Sequence, residues 1–160
     1  MTMKYSEEEN KRWQRTLPKK ISSACIAIRH KDKVVLVKAH YKDYWTFPGG
    51  VIDENESPKA AAIRETFEEI GIKYHPDDVK FLLVAYVNGK NGHLEKVDFV
   101  FTAELLNEKT IFHPQEQEIE KAEWVNISKI AEYSDNIESY VNIQRIILNK
   151  LSDEHYIEVS

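Results

Sequence analysis

Glu65, Glu68 and Glu69 stand at i, i+3 and i+4, a spacing that gathers three carboxylates on one side of an α-helix. Around them, residues 53–69 hold six acids (Asp53, Glu54, Glu56, Glu65, Glu68, Glu69) against two bases (Lys59, Arg64). That net of −4 accounts for most of the chain's −5. Like charges four apart on a helix cost about 0.2–0.5 kcal/mol per pair, so the cluster opposes folding unless it holds a cation. Hard divalent cations, Mg²⁺ above all, take oxygen ligands from a few carboxylates together with substrate phosphates. The Gly49-Gly50 pair just upstream admits backbone conformations closed to other residues, so a carbonyl can turn toward the same ion. The competing reading is an acidic, solvated helix face.

The helix that must position these carboxylates has clear ends. Ser57 is a good N-cap, Pro58 suits the first helical position, and Gly71 is the expected left-handed stop. Its period puts Ala60, Ile63, Phe67 and Ile70 on one side and Glu65, Glu68 and Glu69 opposite.

Gly50, five residues, Glu56, seven residues, then Arg64-Glu65-Thr66-Phe67-Glu68-Glu69-Ile70-Gly71-Ile72 resembles the Nudix box, Gly-x5-Glu-x7-Arg-Glu-(aliphatic)-x-Glu-Glu-x-Gly-(aliphatic). The one departure is Thr66, where a bulky aliphatic is usual. The resemblance implies an α/β/α sandwich with a mixed sheet, and a Mg²⁺-dependent pyrophosphohydrolase, Mn²⁺ serving as well. Its substrate would be a nucleoside diphosphate linked to another group. A nucleoside triphosphate, including oxidised ones, comes first, as in MutT-like enzymes; ADP-ribose or another nucleotide sugar is the alternative. At the spacing where ADP-ribose enzymes tend to carry a proline, this chain has Val87. A rival of another class is a Nudix domain that binds a nucleotide and regulates a partner without hydrolysis; its expected marks are a damaged box or an attached DNA-binding module, and the intact box favours hydrolysis.

Carried over residue by residue, the resemblance makes Glu65, Glu68 and Glu69 metal ligands, joined by the Gly49 carbonyl. Glu56 supports the cage or positions water, and Arg64 orients the neighbouring carboxylates. Lys38 matches a place where the family often has a basic residue on phosphate, with an ordinary edge-strand lysine as the alternative. A further glutamate from a late loop acts as base or extra ligand. Glu118, six residues before Trp124, fits that placing best, with Glu116 and Glu120 as rivals.

Composition sets the class. At 160 residues, 42% hydrophobic and 31% charged, the chain reads as one soluble globular domain, 1–160, with a helical extension over 1–20. A net charge of −5 argues against nucleic-acid or anionic-membrane partners, which need a basic face. One cysteine, Cys25, precludes an internal disulfide and fits a reducing, cytoplasmic setting, where it reads as a buried structural thiol. No P-loop, Gly-x-Gly-x-x-Gly, His-Glu-x-x-His, Cys-x-x-Cys or Gly-x-Ser-x-Gly occurs.

In chain order, Ser6-Glu7-Glu8-Glu9 has the form of a capping box, so a helix is expected up to about Leu17. Its Trp13 and Leu17 edge packs on its own domain or forms a homodimer contact. Residues 22–29 and 34–38 read as a hairpin, and 79–87 with 93–105 as a second. Trp45 and Phe47 anchor a loop or stack a nucleobase. Pro76-Asp77-Asp78 is a turn, and 106–121 a long loop. Residues 123–127 form a strand, Ser128 caps a short helix, and a last helix runs from about 136 to 151. Hairpins around one central helix give an α+β layered domain.

Overall fold

Most apolar runs in the sequence become strands of one mixed sheet. The computed structural model describes residues 5–42, 44–89, 95–105, 107, 109–133 and 155–159. The strands are β1 (Ile21–His30), β2 (Lys33–Ala39), β3 (Gly49–Val51), β4 (Lys80–Val87), β5 (Lys96–Glu104), β6 (Ile119–Asn126) and β7 (Tyr156–Val159). Their order is β6-β2-β1-β5-β4-β7, with β3 also on β1. The pairs β1–β5 and β4–β7 are parallel; the others are antiparallel. With helices α1 (Glu7–Thr16) and α2 (Pro58–Ile70), this is the expected α+β architecture.

One edge of β1 is shared, and that sharing builds the site. β2 pairs with β1 only at Arg29↔Val34 and His30↔Lys33, then diverges. Residues 46–51 enter the split. Thr46 and Val37 exchange backbone hydrogen bonds of 2.9 and 2.8 Å, the Pro48 carbonyl accepts from the Ile26 N–H at 3.0 Å, and Gly49–Val51 pair with Ser23–Cys25.

Side-chain alternation along β1 feeds two cores. Ala24, Ile26 and Ile28 join Ala61, Ala62 and Ile70 of α2. Ala27 and Cys25 face the opposite core, with Phe47, Leu83, Val100, Ile130 and Ile157. Each fully buried Ile or Leu contributes about 1.5–3 kcal/mol.

The caps of α2 are as expected. The Ser57 hydroxyl accepts from the Ala60 N–H, and Gly71 takes φ 76° while donating to Phe67. The expected apolar stripe is corrected. Ala60 is exposed and Phe67 is 52% exposed, whereas Ala61, Ala62, Thr66, Glu69 and Ile70 are buried. The helix is rotated so that its alanines meet β1 and Glu69 meets Gly49. Thr66 is wholly buried and its hydroxyl has no partner among the described residues, which costs about 1–3 kcal/mol and marks the position where an aliphatic side chain would fit better.

The capping box of α1 is present, with the Ser6 and Glu9 side chains each bonded to the other's backbone N–H. α1 has no buried residue, and Trp13 and Leu17 are exposed, so this edge does not bury itself on its own domain. Further corrections concern the C-terminal half. β6 begins at Ile119, inside the expected loop. Asn126, rather than Ser128, caps the following 3₁₀ turn (Ile127–Tyr133): its Oδ1 accepts from the Ser128 N–H at 2.9 Å. Strands β3 and β7 were not expected. The expected helix over 136–151 lies outside the described residues.

Candidate active site

The two glycines in the split let α2 bring its acids against backbone. Gly49 takes φ +153°, and a Cβ there would lie 2.3 Å from the Ala24 carbonyl oxygen. At Gly50 the obstacle is the site itself, since a Cβ would lie 2.6 Å from the Glu65 carboxylate. Gly49 thus answers to the backbone of β1 and Gly50 to the site.

Arg64 is the hub of the acidic cluster. Its Nε and Nη2 donate to Glu56 Oε1 and Oε2 at 2.9 and 2.8 Å, a bidentate fork. Its Nη1 donates to Glu65 Oε1 at 2.8 Å and to Glu68 Oε2 at 3.0 Å. The Val51 carbonyl accepts from Nη2 at 3.3 Å, and the Asp53 N–H donates to Glu56 Oε2 at 3.2 Å. The bonds from Arg64 hold the Glu56 carboxyl below its ordinary range. Those same bonds, the ones to Glu56 foremost, push the guanidinium up. Glu65 is raised, by burial first and by repulsion from Glu68 and Glu118, against the lowering effect of Arg64.

Glu69 differs from its neighbours. It is 5% exposed, and its Oε2 accepts from the Gly49 N–H at 2.8 Å. Burial pushes its carboxyl up to about 8, although that hydrogen bond pulls the other way. A buried carboxylate braced by one backbone amide is costly in this state.

These elements wall a cleft of about 700 Å³. Glu65 and Glu68 line it from α2, Gly49–Val51 from β3, and Glu118 from the late loop. The loop is fastened to the end of α2: the His113 N–H donates to the Ile70 carbonyl at 3.0 Å and the Gln115 N–H to the Glu69 carbonyl at 3.1 Å. Tyr41 donates its hydroxyl to Glu118 Oε1 at 3.2 Å. Of the three late-loop glutamates considered, only Glu118 lines the cleft. The Glu116 carbonyl accepts from His40, and Glu120 pairs with Lys38 at 3.4 Å.

Lys38 is therefore directed to Glu120 and does not line the cleft. Among the described residues, the basic groups that do are Lys42 and Lys96, which sequence reasoning missed. Desolvation lowers the Lys42 ammonium, while Glu69 and Glu118 work the other way. Cys25 forms part of the floor, and burial pushes its thiol up to about 12; it is protonated and no nucleophile. Phe47 is buried and Trp45 packs edge-on against Tyr133 at 5.5 Å, so both anchor the loop.

The donor set suits a hard divalent ion, since every candidate ligand is an oxygen. Arg64 Nη1 bonds one oxygen of Glu65 and one of Glu68, and the second oxygen of each carboxylate can meet an ion. Among the described residues no three acidic, histidine or cysteine groups already converge on one point.

A glutamate-rich helix, capped by glycine and docked through a Gly-Gly turn into a split mixed sheet, is the arrangement of a Nudix domain. The chain belongs to that family: the NUDIX domain model matches residues 18–146. It is 32% identical over 135 residues to the mRNA-decapping enzyme subunit 2 of Saccharomyces cerevisiae (strain YJM789), covering 81% of this chain and 13% of that protein. It is 34% identical over 73 residues to the diphosphoinositol polyphosphate phosphohydrolase 2 of Mus musculus, covering 44% of this chain and 41% of that one. The chain thus spans less than half the length of either relative. The Nudix domain of Shewanella oneidensis NrtR, solved with ADP ribose, superimposes with a TM-score of 0.71 at 16% identity, over 92% of this chain and 99% of that one. At that identity the likeness speaks to the fold.

Proposed function

We propose that this protein is a Mg²⁺-dependent pyrophosphohydrolase that cleaves a phosphoanhydride bond of a nucleoside diphosphate derivative. Nucleoside triphosphates, oxidised ones included, are the first substrates in that class; ADP-ribose and nucleotide sugars are the alternative. One observation carries the reading. Glu65 and Glu68 from α2 and Glu118 from the late loop line the same cleft as Lys42, so acids that can hold an ion lie beside a base that can hold phosphate oxygens. Of the two relatives described above, one is named for mRNA decapping and the other as a phosphohydrolase of diphosphoinositol polyphosphate.

Glu65, Glu68, Glu69 and the Gly49 carbonyl would hold the ion, with Mn²⁺ as substitute. Bound there, a divalent ion neutralises phosphate charge and lowers the pKa of a coordinated water. The protein's own contribution is orientation. Glu56 locks the Arg64 fork, and Arg64 in turn fixes Glu65 and Glu68. Glu118, held by Tyr41, accepts the proton of the attacking water. Lys42 faces the phosphates in place of Lys38. Among the described residues no helix is long and apolar enough to cross a membrane, and the proposed setting is the cytoplasm.

The test is hydrolysis of nucleoside triphosphates, ADP-ribose, dinucleotide polyphosphates and nucleotide sugars with Mg²⁺ and with Mn²⁺. Turnover that requires the ion and is lost in Glu68→Gln supports the proposal. Absence of turnover on every substrate, with ligand binding intact, would favour the rival reading of a nucleotide-binding regulator.

A further inference from the structure

Beyond the acidic end, the cleft has a second polar feature that the proposed chemistry leaves unused. Its floor is the sheet face made by Ala85, Val87, Val100 and Ile157; Ala85, Val100 and Ile157 are buried. Into this apolar floor the parallel pairing of β1 with β5 sets Ser23 directly beside Asp98. The Ser23 hydroxyl donates to Asp98 Oδ1, and Lys96 Nζ lies 2.8 Å from the same oxygen. Both line the cleft, as does Lys96. Asp98 Oδ2 has no partner among the described residues. The ammonium of Lys96 has donors to spare.

The result is a fixed acceptor beside a fixed cationic donor, set in a surface otherwise suited to a flat aromatic ring. We infer that Asp98, oriented by Ser23 and partnered by Lys96, determines which nucleobase the cleft accepts, and that it selects guanine. The inference rests on the nucleotide reading of the site. Its chemistry is a count of bonds. Guanine alone among the four bases presents two adjacent N–H donors, N1–H and the N2 amino group, with a carbonyl oxygen, O6, beside them. The donors suit the carboxylate and O6 suits the ammonium. Adenine, cytosine and uracil each offer one donor and one acceptor to the same pair. A site built to meet a donor discriminates strongly against bases that lack it, because its own polar groups are then left unpaired.

The experiment has a binding arm and a turnover arm. Metal-free protein is titrated calorimetrically with GMP, AMP, CMP and UMP; kcat/KM is measured for GTP and ATP with Mg²⁺. Both arms are repeated on Asp98→Asn and Lys96→Met after circular dichroism has verified their fold. GMP should bind at least about tenfold tighter than AMP, and either variant should bring the ratio to within about threefold. Equal binding of GMP and AMP, a preference that survives both variants, or no binding of any monophosphate would overturn the inference. If the guanine preference is present and variant-sensitive while no nucleotide is hydrolysed, Asp98 keeps its role and the hydrolase reading falls. Turnover of GTP and ATP at equal kcat/KM, with no monophosphate preference, has the opposite meaning.

Discussion

Gly49 and Gly50 are neighbours held by different constraints, so alanine substitutions should separate stability from chemistry. At Gly49 a Cβ meets backbone on β1, and φ is +153°; Gly49→Ala should cost at least about 1–3 kcal/mol and lower the melting temperature in a thermal scan. At Gly50 the Cβ meets only the end of the Glu65 side chain, which can swing away. Gly50→Ala should melt nearly as wild type while losing at least about tenfold in kcat, or about 1.4 kcal/mol of transition-state stabilisation. Glu69 gives a second prediction at this scale, for the metal-free protein. Its carboxyl titrates at about 8 when folded against 4.5 ordinarily, so the folded chain binds the proton more tightly than the unfolded one. The stability tied to this group is complete below about pH 4.5 and is lost as pH rises through 8. Glu69→Gln keeps an acceptor for the Gly49 N–H and removes the charge. In EDTA it should melt like wild type near pH 5 and higher near pH 9, by roughly 2–4 °C per kcal/mol relieved. A wild-type protein that gains stability between pH 5 and 9 relative to this variant would contradict the assignment.

At the scale of elements, the late loop is a tethered arm. Two backbone bonds fasten it to the end of α2, and Tyr41 holds Glu118 by its carboxylate. General-base catalysis contributes typically 10²–10⁴-fold, so Glu118→Gln should lower kcat by at least about tenfold with little change in melting temperature. Glu116→Gln and Glu120→Gln should each cost less. Tyr41→Phe should reproduce a smaller part of the kcat loss with KM nearly unchanged; a loss confined to KM would place Tyr41 on the substrate instead. The elements themselves were unequally legible. The ends of α2 could be read because Ser57, Pro58 and Gly71 act through their own local geometry. Its buried face could not, because Thr66 and Glu69 are polar residues that are nevertheless buried, Glu69 against the Gly49 amide. β3 has three residues and two glycines, too short for any period. β6 is missed at its start because Glu120, Lys121 and Glu123 are exposed on a strand whose pairing is with β2. Lys96 and Asp98 were invisible for another reason: only the register of β1 on β5 brings Ser23 to Asp98, across 75 positions of sequence.

For the molecule as a whole, ion binding and folding are linked. A ligand bound only by the folded state stabilises it by RT ln(1 + [L]/Kd), about 2.7 kcal/mol at a hundredfold excess over Kd. Millimolar Mg²⁺ or Mn²⁺ should raise the melting temperature, and Glu65→Gln should lose most of that rise. An identical melting curve with and without the ion, at concentrations that support turnover, would count against the assigned ligands. α1 lies at the other extreme. With no buried residue, its removal together with residues 1–6 should shift the melting temperature by less than about 2 °C, roughly half a kcal/mol to one. A larger fall, dependent on protein concentration, would instead identify the Trp13 and Leu17 edge as a contact between two copies, which sedimentation would register as a lighter species after truncation.

The entry of residues 46–51 into the split between β1 and β2 has a consequence for how the protein wears out. Amides of free loops exchange with solvent by local opening, whereas amides locked in a sheet wait for larger excursions. The amides of Val37, Thr46 and Ile26 are donors in bonds to or from this loop, so it cannot open without parting the sheet. Their deuterium uptake should be as slow as that of the central strands, while the amides of α1 exchange first. Heating or ageing should then leave no population with an intact sheet and a ruined site: each molecule stays competent until it unfolds, and residual activity will count the folded survivors.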